Sequence, residues 1–172
     1  PETLSIFSRL IGCDQSLKTP IQQAKAAILY PPRGLHTLIV GATGGGKTTL
    51  AKVMYLYAKE MHRISSDAPY VIFNCADYAK NSQLLLSHLF GHKKGAFTGA
   101  SEERAGIVEK ADGGILFLDE IHRLPPEGQE MLFSLIDRGE YYRLGDTGHI
   151  RRADILILAA TTEQPDTAIL KT

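Results

Sequence analysis

The chain has 172 residues, 44% of them hydrophobic, and its 19 basic side chains are balanced by 19 acidic ones. That length and apolar content predict one globular α/β domain, and the neutral balance excludes the electrostatic footprint of a non-specific nucleic-acid binder, so any DNA contact belongs to another domain of the intact protein. Cys13 and Cys75 lack metal-ligand spacing and are too few for a disulfide framework, which marks them as core thiols of a soluble protein in a reducing, cytoplasmic compartment, with no membrane-spanning run and no signal peptide.

Residues 1–34 read as an N-terminal helical and linker segment, with Ile21, Ala24, Ala27 and Ile28 on one helix face until Pro31, Pro32 and Gly34 break the pattern. Leu35–Val40 is a short apolar run, expected as the first buried strand. A helix follows from Lys47 to about His62 with Leu50, Val53, Met54, Tyr57 and Met61 inward, then a second strand at Tyr70–Asn74 and a second helix at Asn81–Phe90. Another helix is expected around Glu102–Lys110, the third strand at Ile115–Asp119, and a helix opened by Leu124-Pro125-Pro126, where a proline in the first turn loses no hydrogen bond. Its buried stripe is Met131, Leu132, Leu135 and Ile136, with Gly139 as cap. Glu140–Ile150 reads as a projecting loop or hairpin and Ala153–Ala160 as the fourth strand. Nearly continuous apolar strands alternating with helices predict a parallel sheet covered on both faces.

Between the first strand and the first long helix lies GATGGGKT, Gly41–Thr48, which satisfies G-x-x-x-x-G-K-[ST] in the required strand–loop–helix context. Gly41, Ala42, Thr43, Gly44, Gly45 and Gly46 allow backbone N–H groups to converge on phosphates at a helix N-terminus. Lys47 is expected to reach the β- and γ-phosphates, and Thr48, followed by Thr49, to coordinate Mg²⁺. The run GGILFLDE ends in Asp119 and Glu120. A carboxylate at the C-terminal end of a central strand can reach the same Mg²⁺, assigned to Asp119, and Glu120 is the candidate general base for water. ATP and Mg²⁺ are the implied ligands.

Gly95, Ala96, Phe97, Thr98, Gly99 and Ala100 spell GAFTGA. Paired glycines around one apolar side chain and one hydroxyl suit a flexible surface finger that touches a partner, not a core element. His88, His92 and His122 lack the spacing of a zinc helix and read as structural or solvent residues. Lys93 and Lys94 read as a solvated loop base. Arg123, Arg138, Arg143, Arg151 and Arg152 read as surface or subunit-interface residues, and Tyr141 and Tyr142 as packing.

LFGH at Leu89–His92, the GAFTGA run, GGILFLDEIHRLP, GEYYRLG and ILAATT together resemble the AAA+ domain of bacterial enhancer-binding proteins, the activators of σ54-dependent transcription. FNCADYA, HRLPPEGQEMLF and AATTE look most like the levanase-operon type, which carries phosphotransferase-system regulatory domains. The resemblance implies a P-loop αβα sandwich of strand order 5-1-4-3-2. It implies an ATPase that assembles as a ring, as a hexamer, and remodels the σ54 RNA polymerase closed complex, with Phe97 and Thr98 meeting σ54 and a second loop near Tyr141–Ile150 moving with them. Asn74 matches a γ-phosphate sensor that relays to Glu120, and Thr161 matches the first sensor motif. Thr162 stands where the family usually has Asn, and Thr48 where glutamate is common. The resemblance places the fifth strand, the helical lid and the arginine fingers after Thr172, so residues 1–172 alone are expected to hydrolyse ATP poorly, and the first strand to lie at a sheet edge. Regulatory and promoter-binding domains lie outside this chain. Two other readings stay open from the residues: a nucleotide-switched interaction module without significant hydrolysis, and a small-molecule phosphotransferase.

Overall fold

The computed structural model describes residues 6–10, 16–78 and 80–162; the assignment of Cys13 as a core thiol falls outside them. In chain order the elements are α1 (Lys18–Leu29), β1 (Thr37–Val40), α2 (Lys47–Glu60), β2 (Tyr70–Asn74), α3 (Ser82–Phe90), β3 (Gly91–His92), β4 (Arg104–Ala105) and α4 (Ile107–Lys110). They continue with β5 (Ile115–Asp119), α5 (Pro126–Arg138), β6 (Glu140–Tyr141), β7 (Arg151–Arg152) and β8 (Leu156–Thr161).

The main sheet has four parallel strands in the order β1-β8-β5-β2, which is the expected 1-4-3-2 order of the sequence strands. Central β5 explains its own composition. Ile115 and Phe117 enter one core with α1 and α2, whereas Leu116 and Leu118 enter the other with α3, α4 and α5. A strand buried on both faces has no polar side to alternate with. Among the described residues β1 is an edge.

Local chemistry sets the helix ends. Asn81 Oδ1 accepts the Leu84 N–H at 3.0 Å to start α3. Pro126 occupies the first turn of α5, and Gly139, at φ 67°, closes it by donating its N–H to the Leu135 carbonyl.

Five expectations need correction. The segment 102–110 is not one helix: Arg104–Ala105 pairs antiparallel with Gly91–His92, and only Ile107–Lys110 is helical. The cause is tertiary. A Cβ at Gly106 would lie 2.3 Å from Gly91 N and 2.4 Å from Phe90 C, so the chain crosses there backbone to backbone. Met61 and Ile136, both expected inside, are substantially exposed; Met61 lies past the end of α2. The first strand starts at Thr37 and the last at Leu156.

Candidate active site

The loop after β1 is shaped by left-handed glycines: Gly44 has φ 76° and Gly46, which precedes the first residue of α2, φ 83°. Gly45 N–H donates to the Ala42 carbonyl, and a Cβ at Gly45 would lie 2.8 Å from that same oxygen. Lys47 Nζ donates to the carbonyls of Gly41 and Ala42 at 2.8 and 2.7 Å. An ammonium carries three donors, so one remains for an anion.

Asp119 and Glu120, at the C-terminal end of β5, share a cleft of about 280 Å³ with Thr43, Gly44, Gly46, Lys47, Thr48 and Thr49. Asp119 Oδ1 accepts the Glu120 N–H at 2.9 Å, which leaves its second oxygen available. Thr48 and Asp119 therefore offer one hydroxyl and one carboxylate to a common space, a donor set of the hard-oxygen kind that Mg²⁺ takes.

A second hollow of about 510 Å³ opens on the other side of the loop and shares Gly44, Gly46, Lys47 and Thr49 with the first. Its walls are apolar, with Leu10, Leu17, Pro20, Ile21 and Leu50 among them. Sequence reasoning missed this wall, because the amphipathic pattern of α1 reports burial and not what the buried face meets. One side suits a chain of phosphates and the other a flat apolar group, together the shape of a nucleotide. A larger hollow of about 770 Å³ lies at the N-terminal ends of the strands, beside Gly34, Asp112 and Asp154. It contains none of the phosphate-loop groups, so size does not pick out the site here.

Asn74, in register with Asp119 on the neighbouring strand, uses its Oδ1 to accept the Ala76 N–H at 2.9 Å. The Glu120 carboxylate meets His122 instead: Oε2 lies 3.2 Å from His122 Nε2, and His122 Nδ1 lies 3.0 Å from Thr161 Oγ1. Of the two roles expected for His122, structural or solvent, the buried ring takes the structural one. Glu120 adopts a left-handed backbone, φ 53° and ψ 46°, at the start of the 3₁₀ turn Ile121–Arg123, and this turns His122 back under the strand ends.

The finger rises from the β3–β4 stem and is closed by its own backbone, with Gly95 N–H donating to Ala100 O and Ala100 N–H to Phe97 O. Phe97 is half-buried, its ring edge-on to His92 at 5.0 Å between centroids, while Thr98 is exposed. The β6–β7 hairpin carries the second loop. Lys93 N–H donates to Leu144 O and Leu144 N–H to Gly91 O, both at 2.9 Å, which straps the two loops together. Arg143, expected at the surface, is buried and forms ion pairs with Glu103 at 2.6 Å and Glu109 at 2.7 Å. Lys93 faces Asp146 at 3.5 Å.

The model of the sigma-54 interaction domain family matches residues 10–172. The transcriptional regulatory protein LevR of Bacillus subtilis is 59% identical over 163 residues, covering 95% of this chain and 17% of LevR. DagR of Salmonella typhimurium, also a transcriptional regulatory protein, is 51% identical over 166 residues, covering 96% of this chain and 18% of DagR. The chain thus spans less than a fifth of either regulator. The crystal structure of NtrX from Brucella abortus in complex with ATP aligns with a TM-score of 0.68 at 23% identity, over 92% of this chain and 33% of NtrX.

Proposed function

The chain belongs to the sigma-54 interaction domain family and has its P-loop AAA+ fold, and from that premise we propose that it is the ATP-binding and ATP-hydrolysing domain of a σ54-dependent transcriptional activator of the levanase-operon type. The observation that carries this reading is the single cleft in which Lys47 and Thr48 face Asp119 and Glu120. A phosphate-binding loop alone suits a switch; a loop facing a carboxylate that can take a proton from water suits hydrolysis.

The residues divide the work. The left-handed glycines and the N-terminus of α2 bind the phosphates, and Lys47 adds its charge to the β- and γ-groups. Thr48 and Asp119 hold Mg²⁺, which when bound neutralises phosphate charge. Glu120 accepts a proton from water as the new O–P bond forms and the bond to the ADP leaving group breaks. Asn74 and Thr161 stand at the strand ends on either side of β5, where the γ-phosphate is sensed. The finger from Gly95 to Ala100 is the contact with σ54 RNA polymerase. The strap to the 140–150 loop supports movement of the two as one body. A homo-hexameric ring in the cytoplasm, with promoter DNA held by another domain, completes the reading. No helix among the described residues is long and apolar enough to cross a membrane.

The test is Mg-ATP turnover by the full-length protein, together with capture of σ54 in Mg-ADP plus a γ-phosphate transition-state mimic. Turnover, with capture by the parent and none by Thr98→Ala, is expected. Nucleotide binding without turnover would replace the reading by a nucleotide-switched interaction module. Turnover without σ54 capture would leave an ATPase with a different partner.

A further inference from the structure

We propose that His122 is a positioning residue that couples the hydroxyl of Thr161 to the carboxylate of Glu120, and so makes the orientation of the general base depend on what Thr161 touches. The proposal rests on the ATPase reading above.

Three separate elements converge on the imidazole. Glu120 follows the end of β5, His122 sits in the 3₁₀ turn, and Thr161 ends β8, the strand next to β5. The His122 side chain is only 7% exposed and Thr161 is fully buried, so water does not compete for these contacts. An ionised carboxylate can only accept, so His122 Nε2 carries the proton that points at Glu120. In the tautomer with its single proton on Nε2, Nδ1 is the acceptor and the Thr161 O–H, 3.0 Å away, donates to it.

The direction of that chain makes it a device and not only a satisfied core histidine. A hydroxyl has one hydrogen. While Thr161 gives it to His122, Thr161 cannot give it to a phosphate oxygen. When the hydroxyl turns to a phosphate, Nδ1 loses its donor, the ring is no longer fixed at both ends, and its hold on Glu120 loosens. On the opposite side Asn74 has its carboxamide oxygen engaged by Ala76 N–H. In this arrangement the base is gripped from the β8 side, through the imidazole.

The experiment compares steady-state Mg-ATP hydrolysis and Mg-ADP binding of the full-length protein carrying His122→Ala, Thr161→Val, or both. His122→Ala should lower kcat by about tenfold, the scale of losing an outer-shell partner, with KM for ATP and Kd for ADP nearly unchanged. The double variant should be slower than either single one, since Thr161→Val also removes the phosphate contact, but by less than the product of the two factors, because the coupling is lost only once. His122→Gln keeps a donor near the Nε2 position without an arm to Thr161. It should recover part of kcat, and Thr161→Val, which also removes the phosphate contact, should cost less in this background than in the parent. Factors that multiply in the double variant, or an unchanged kcat in His122→Ala, would overturn the coupling. So would a loss of kcat, ADP affinity and melting temperature together. If His122→Ala does not fold, His122→Gln with and without Thr161→Val decides by the same criterion. A parent that binds Mg-ATP without turning it over overturns the ATPase reading and the coupling with it. An active parent with an equally active His122→Ala overturns the coupling alone.

Discussion

Arg143 is the test of whether the finger and the second loop form one mechanical body. Its side chain is 9% exposed, yet the Glu103 and Glu109 side chains are 50% and 44% exposed. Replacing Arg143 by Met keeps most of the packing and releases two carboxylates that can reach water, so no orphaned charge is left behind. Hydrogen bonds to charged groups contribute about 1.5–3 kcal/mol when buried and exposed ion pairs about 0.2–1 kcal/mol. With half-exposed partners, about 1 kcal/mol for each is the fitting figure. Arg143 Nε, buried without a partner, takes back part of that sum. The net loss should be about 1–2 kcal/mol, or a fall of about 2–8 °C in the melting of this domain. The sharper readout is hydrogen exchange. The amides of Lys93 and Leu144 form the strap and should lose protection out of proportion to the rest of the sheet. Protection that falls evenly everywhere, or that stays high at Lys93 and Leu144, would refute the claim that Arg143 holds the two loops together.

Other consequences are as direct. Gly106→Ala drives a Cβ to 2.3 Å from Gly91 N, backbone against backbone, and should cost about 3 kcal/mol or more, read as a lower urea midpoint; an unchanged midpoint would show that the crossing can open freely. Burial pushes the Cys75 thiol up to about 12 and the Tyr70 phenol to about 12. Both are raised acids, so the unfolded chain gives up these protons first, and stability should fall as pH rises above about 9. The unfolding midpoint between pH 8 and 10.5 checks this, and Cys75→Ala should flatten the slope. Leu17→Ala trims the apolar hollow beside the phosphate loop and should weaken ADP severalfold while leaving tripolyphosphate binding unchanged; equal losses for both would place the nucleoside elsewhere.

The parts of the fold that were legible in the sequence are those fixed by local chemistry. Strands β2 and β5 begin and end where their apolar runs do, because both faces of β5 are buried and the run has no reason to alternate. The phosphate loop was legible for the same reason: its glycines are needed by its own backbone. What stayed hidden depends on residues far apart in the chain. The 102–105 stretch has helix-compatible side chains, but its backbone is claimed by Gly91–His92 and its Glu103 by Arg143. His122 carries no periodic signal, since its place follows from the left-handed turn at Glu120 and from a threonine 39 positions later. Phe97 was legible as part of a finger, but its rest against His92 was not.

Glu120 holds a backbone conformation that suits glycine, at φ 53°. An L-residue there costs on the order of 1 kcal/mol. Glycine at this position should relax the turn and give a chain at least as hard to unfold, yet one without the carboxylate proposed as proton acceptor. Selection for stability alone would therefore erode the site: in a library sorted only by resistance to heat or protease, replacements of Glu120 should be enriched. Position 120 is where durability and turnover pull the sequence in opposite directions.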